Sequence, residues 1–257
     1  MRGQKRTLLL ITITVLLAFN SCSEKKKSKI VTIAAAANMQ YVMGALVREF
    51  EDHTGIRCHL IIGSSGKLTA QITEGAPYDI LVSADMKYPL EIYNAGLAVD
   101  LPASYGYGQL VLWTMKEGIH PSIDLLKGQS IDHIALANPL TAPYGKAAME
   151  VLSHYGLTDS LAHKLVYGES VSQTNQFISS KSVELGFTAM AVVLSPELKE
   201  KGSWTLLDNT SYTPIQQGAV IINRDQANIS EIREFYEYLF SKEAKILLKN
   251  FGYLVDE

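Results

Sequence analysis

An α/β fold of two lobes, each a mostly parallel sheet flanked by helices and joined by crossing strands, follows from three features of this 257-residue chain. Strand-like and helix-like patterns alternate in two successive runs. No repeat, low-complexity block or Pro/Gly-rich linker interrupts the body. The first two strand patterns each end in small residues that open a helix pattern. Ile30-Val31-Thr32-Ile33 is a β-type run, and after Ala34-Ala35-Ala36-Ala37-Asn38-Met39 come Val42, Ala45, Leu46 and Phe50 at helical spacing, stopped by Gly55. His59-Leu60-Ile61-Ile62 is the second strand, and Gly63-Ser64-Ser65-Gly66-Lys67-Leu68 leads into a helix marked by Leu68 and Ile72 and closed by Gly75-Ala76-Pro77. Asp79-Ile80-Leu81-Val82 is a buried strand ending at Ser83-Ala84-Asp85, with Leu90, Ile92 and Tyr93 marking a third helix. This β-α-β-α-β-α order implies a parallel sheet covered on both faces. The second run predicts strands over 109–114, 131–137, 165–167, 185–189 and 215–222, and helices over 147–155 and 174–180. Two helices, 229–240 and 242–251, end the chain. The expected division places 30–106 with 218–257 in the first lobe and 107–217 in the second.

The N-terminus reads as an address. Arg2, Lys5 and Arg6 precede the apolar run Leu8 to Phe19, which is too short for an ordinary membrane span and suits a signal-peptide core over 1–21. Cys22 follows at once, as in a bacterial lipobox whose thiol is acylated after cleavage; the alternative is an ordinary signal peptide with an incidental cysteine. Residues 22–29, rich in lysine, read as a solvated tether. With Cys22 lipidated, Cys58 has no disulfide partner and reads as a small core residue in an alternating stretch. Residues 22–257 hold 20 Lys and Arg against 26 Asp and Glu, a net charge of −6. An acidic body argues against nucleic acid, and any anion must be held locally against the overall field.

The two strand-to-helix junctions offer such local holding. A helix start leaves unpaired backbone N–H groups and a partial positive charge. Two such starts at the carboxyl ends of strands in one open sheet form an anion site without a charged side chain. Asn38 and Ser65 also read as ordinary helix caps, and capping is compatible with ligation because both use the same unpaired donors. Asp85 would repel an anion and reads as a cap for the helix at Lys87.

Several segments together resemble the substrate-binding proteins of ABC transporters for molybdate and tungstate: Ala35-Ala36-Ala37-Asn38, Gly63-Ser64-Ser65-Gly66, Gly75-Ala76-Pro77-Tyr78-Asp79 and Val82-Ser83-Ala84-Asp85. Asn138-Pro139 with Pro143-Tyr144-Gly145, Leu185-Gly186-Phe187 and the tail with Phe251-Gly252-Tyr253 continue the match across essentially all of 22–257. The resemblance implies a type II periplasmic-binding-protein fold that closes over its ligand. It implies an extracytoplasmic, membrane-anchored lipoprotein that captures molybdate or tungstate and delivers it to the permease and ATPase of an ABC importer. It further implies a monomer that is not an enzyme, has no cofactor beyond its oxyanion ligand, and places no direct ligand on the metal. The family's contacts carry over to Ala37, through its backbone N–H or through the side-chain amide of Asn38; to the hydroxyl of Ser65; and to backbone N–H groups of Tyr144 and Val171. A tyrosine hydroxyl that some members supply falls on Ala189 here, so that contact is missing.

Other chemistries fit worse. A phosphate loop needs Gly at position 61 and Ser or Thr at 68, where this chain has Ile61 and Leu68. Neither Ser64 nor Ser65 has the flanking glycines of a nucleophile elbow. His53, His59, His120, His133, His154 and His163 are scattered without zinc-ligand pairing. The same fold binding sulfate, another oxyanion or a small organic anion stays open, as does a surface lipoprotein without a transport role.

Overall fold

A computed structural model describes residues 30–224 and 228–256 of the chain. The segment 1–21, the tether 22–29 and Cys22 lie outside the described residues. The strands, in chain order, are β1 (Ile30–Ala36), β2 (Arg57–Gly63), β3 (Ile80–Ser83), β4 (Ala103–Gly108), β5 (Leu110–Thr114), β6 (Ile134–Ala137), β7 (Leu165–Gly168), β8 (Leu185–Ala189), β9 (Ser203–Leu206) and β10 (Ile215–Ile221). The α-helices are α1 (Gln40–Thr54), α2 (Ser65–Thr73), α3 (Lys87–Asn94), α4 (Pro143–His154), α5 (Thr158–Leu161), α6 (Val171–Ser179), α7 (Met190–Val193), α8 (Ile229–Tyr238) and α9 (Lys242–Asn250).

Two five-stranded sheets result, ordered β2-β1-β3-β10-β4 and β7-β6-β8-β5-β9. In each, three strands run parallel and the remaining pairings are antiparallel: β10 against β3 and β4, β5 against β8 and β9. The sheets are thus mixed, with the parallel part where the sequence alternates strand and helix. The apolar run of β1 is explained by cover on both faces. Ile33 and Ala35 pack with Val42, Leu46 and Phe50 of α1 and with Phe235 and Leu248 of α8 and α9. Ala34 faces the other way, onto Leu68 and Ile72 of α2 and Ile92 of α3. Successive side chains on opposite faces are the period-2 consequence of an extended strand. The second sheet is sealed by Ala147, Ala148, Val151 and Leu152 of α4 and by Ile178 of α6.

The chain passes from the first sheet to the second between Gly108 and Leu110, and returns at Ile215. Main-chain pairing of Ile215 with Gly108 carries the first sheet beyond the expected borders at 106 and 218, because β4 and β10 stay hydrogen-bonded up to the crossing. Strands β4 and β9 were not expected. The sequence Ala-Ser-Tyr-Gly-Tyr-Gly of β4 carries no apolar run, and its pairing comes from β10. Cys58 is half-buried against the first core, where burial, then the Glu51 carboxylate, pushes its thiol up to about 12.

Asp79, wholly buried, pins the first sheet. Its Oδ2 accepts from the backbone N–H of Thr32 at 2.7 Å, and its Oδ1 accepts from Nε of Arg224 at 3.1 Å. One carboxylate thereby links β1, the entry to β3 and the segment after β10. Removing it leaves the half-buried Thr32 N–H without that acceptor and the guanidinium without its counter-charge. Asp79→Ala is expected to lower unfolding free energy by about 1–3 kcal/mol, the scale for losing the hydrogen bonds of a buried carboxylate whose guanidinium partner is exposed. Urea unfolding monitored by circular dichroism measures it.

Candidate anion-binding site between the lobes

Four strand-to-helix junctions converge where the sheets face each other. Ala36 ends β1 and caps a 3-10 turn, Ala37–Met39, that runs into α1. Ser64 caps α2, Ala142 caps α4 with Pro143 at the first position, and Ser170 caps α6. Between them lies a cavity of about 10 Å3, lined by Ala36, Ala37, Asn38, Ser64, Ser65 and Ala84 from the first sheet's side and by Ala142, Pro143, Tyr144 and Val171 from the second. It is small beside the roughly 300–1,000 Å3 of typical small-molecule sites. All five residues expected to contact a ligand, Ala37, Asn38, Ser65, Tyr144 and Val171, line it.

Each contributes in a way its position dictates. Tyr144 and Val171 occupy the first turns of α4 and α6, where backbone N–H groups have no intrahelical acceptor. Ser65 opens α2, and its Oγ accepts from the N–H of Ala84 at 3.0 Å, so its own hydrogen is available to donate. Asn38 differs from the side-chain alternative. Its Nδ2 donates to Oε1 of Gln217 at 2.9 Å and to the hydroxyl of Tyr253 at 3.0 Å, which engages both amide hydrogens inside the protein. Sequence reasoning missed Gln217, Tyr105 and the side chain of Tyr144. Gln217 Nε2 donates to Tyr144 at 3.1 Å, and the Tyr105 hydroxyl donates to Gln217 Oε1 at 2.7 Å. The only sequence signal for this network is the aromatic tail Phe251-Gly252-Tyr253.

No acidic residue among the described ones lines the cavity. Asp85 stands just outside, with Oδ1 turned to the N–H of Tyr88 at 3.3 Å, so it caps α3 from the position before Met86. Burial pushes its carboxyl up, against the lowering effects of the Tyr88 N–H, Ser83 and the lysines 87 and 146. A roomier groove of about 530 Å3 on the first lobe is lined by Glu49, Glu234, Glu237 and Glu243 among others, a setting that repels anions. Among the described residues no cluster of three or more His, Cys, Asp or Glu could hold a metal ion, and no helix is long and apolar enough to cross a membrane.

The lobes are closed over the cavity. The N–H of Gly66 donates to the carbonyl of Thr141 at 2.9 Å, and the hydroxyl of Tyr88 to the carbonyl of Leu140 at 3.2 Å. Ser172 Oγ donates to Gln40 Oε1 at 2.7 Å, and Lys67 pairs with Glu169. Glycine at 66 is required by this approach: a Cβ there would lie 2.8 Å from the Tyr88 hydroxyl and 3.1 Å from Thr141 Cα.

Two α/β lobes joined by crossing strands and closed on a small donor-lined cavity define a solute-binding protein. The chain belongs to the bacterial extracellular solute-binding protein family, whose model matches residues 31–254. It is 35% identical over 225 residues to the molybdate-binding protein ModA of Azotobacter vinelandii, covering 87% of this chain and 89% of that one. ModA of Rhodobacter capsulatus is 32% identical over 229 residues, 88% of each chain. Among solved structures, the periplasmic molybdate-binding protein of Azotobacter vinelandii superposes with a TM-score of 0.84 at 34% identity, over 88% of this chain and 100% of that one.

Two outcomes test the buried network. A Cβ at Gly108 would lie 2.0 Å from the Tyr144 hydroxyl and 2.3 Å from Gln217 Nε2. Gly108→Ala is therefore expected to destabilise the ligand-free protein by about 1–3 kcal/mol, as overpacking does, read as a lower melting temperature. Burial also pushes the phenol groups of Tyr105, Tyr144 and Tyr253 well above their ordinary 10. The unfolded chain releases these protons near pH 10 while the folded protein keeps them. Their contribution is thus fully present below pH 10 and is lost as pH rises beyond it. Melting temperature should fall steeply above pH 10, less steeply in Tyr144→Phe.

Proposed function

We propose that this protein captures molybdate or tungstate outside the cytoplasm and delivers it to the permease and ATPase of an ABC importer. The observation that carries the reading is the small closed cavity at converging helix starts, lined by neutral donors and by no carboxylate among the described residues. A fully deprotonated tetrahedral dianion has only acceptor oxygens. Its matching site is a fixed shell of N–H and O–H donors, each charge-assisted hydrogen bond contributing about 1.5–3 kcal/mol net. Phosphate keeps a proton at neutral pH and calls for an acceptor such as a carboxylate, which disfavours it here. Sulfate differs mainly in bond length, so cavity size carries that discrimination. The names of the Azotobacter and Rhodobacter relatives point the same way.

In this reading Ser65 donates its hydroxyl, and Ala37, Tyr144 and Val171 donate backbone N–H groups. Asn38 contributes its main chain, while its amide holds the surrounding network. Acylation of Cys22 would anchor the protein, with residues 23–29 as tether. This proposal rests on the N-terminal sequence alone.

A melt of residues 23–257 with a panel of oxyanions tests the function. Stabilisation by RT ln(1 + [L]/Kd) amounts to about 4 kcal/mol at a thousandfold excess over Kd. Molybdate and tungstate should raise the melting temperature far more than sulfate. A shift with some other anion and none with either metal oxyanion would overturn the assignment.

Ser65→Ala should weaken molybdate binding by about 1–3 kcal/mol, one to two orders of magnitude in Kd by calorimetry. For Asn38→Ala the larger effect should appear in the melt of the ligand-free protein, since its amide bonds only protein groups. Anchoring is checked by membrane fractionation: Cys22→Ser should release the protein or leave an uncleaved precursor, and fatty-acid labelling unchanged in that variant would exclude it.

A further inference from the structure

We infer that the hydroxyl of Ser64, besides that of Ser65, is a direct hydrogen-bond donor to the oxyanion. This inference rests on the binding reading above. Ser64 is the residue that caps the nine-residue helix α2, and it is only 3% exposed. A serine there ordinarily accepts a hydrogen bond from the second or third N–H of its helix. Ser64 makes no such bond, and its Oγ has no hydrogen-bond partner among the described residues.

The reason lies across the cleft. The second N–H of the helix, that of Gly66, is taken by the carbonyl of Thr141 from the opposite lobe at 2.9 Å. Closure therefore supplies from outside the helix the acceptor that its own cap would provide, and the Ser64 hydroxyl is left over. That hydroxyl belongs to a residue lining the cavity, beside Ser65, Ala37 and Tyr144. A buried hydroxyl with no partner destabilises the fold. An anion oxygen in the cavity accepts its proton and removes that penalty.

The ligand class follows from the donor type. Ser64 and Ser65 present two adjacent hydroxyls to one face of the anion, while the helix starts of α4 and α6 supply main-chain donors from the other lobe. Such a shell suits a compact oxyanion with several unprotonated oxygens.

The test compares wild type, Ser64→Ala, Ser64→Cys and Ser65→Ala by calorimetry with molybdate and tungstate, and by melts of the ligand-free proteins. Ser64→Ala should weaken binding about tenfold or more, the scale of one charge-assisted hydrogen bond. Its ligand-free melting temperature should stay level or rise, because no capping bond is lost. Ser64→Cys, similar in size but a weak donor, should fall between. Affinity of Ser64→Ala equal to wild type, with Ser65→Ala weakened, overturns this inference alone. A ligand-free melting temperature that drops by several degrees in Ser64→Ala assigns the hydroxyl to the scaffold and also overturns it. A wild type that binds neither metal oxyanion removes the binding reading itself, and this inference with it.

Discussion

The hydrogen bond from the Asn38 amide to Gln217 joins the two ends of the polypeptide's path through the cleft. Asn38 sits where β1 turns into α1, and Gln217 lies on β10, beside the return crossing. Tyr253 from the C-terminal tail and Tyr144 from the opposite lobe complete the cluster. Each bond is worth about 1 kcal/mol net, yet leaving any of these buried groups unpaired costs more. The cluster is therefore all-or-none. It holds the main chain at Ala37 and Tyr144 in place before a ligand arrives, and a dianion with a large desolvation penalty is bound tightly only by donors that are already fixed.

Charge is handled locally. With residues 1–21 removed the chain carries a net charge of −6, and the acidic residues gather elsewhere, as in the groove lined by Glu49, Glu234, Glu237 and Glu243. The cavity has neither lysine nor arginine in its lining. In the proposed reading, backbone dipoles and hydroxyls do the holding, and their fixed orientation would separate a fully deprotonated oxyanion from one that still carries a proton. Asp85 stays close without spoiling this, because its carboxylate is turned toward the N–H of Tyr88.

Closure is governed by small terms. The Lys67–Glu169 pair bridges the rim with both side chains more than half exposed, and such pairs contribute about 0–1 kcal/mol. The Gln40–Ser172 bond is exposed as well. The Gly66–Thr141 bond and the buried Gln217–Tyr144 bond also cross between the lobes, so the closed form rests on these rather than on the exposed rim pairs.

The sequence by itself determined the alternation of strands and helices and the small residues at the first two strand-to-helix junctions, while the set Ala37, Asn38, Ser65, Tyr144 and Val171 came only from the family resemblance. The alternation and the junctions are local matters: periodicity and helix-start chemistry are written in neighbouring residues. Tertiary structure decided what local pattern cannot encode. Strand β4, with no apolar run, exists because β10 pairs with it. The amide of Asn38 turned inward because Gln217 and Tyr253, 179 and 215 residues away, meet it there. The Ser64 hydroxyl was freed because Thr141 of the other lobe took the N–H of Gly66. In each case the deciding partner is distant in sequence, and only folding brings the two groups within hydrogen-bonding distance.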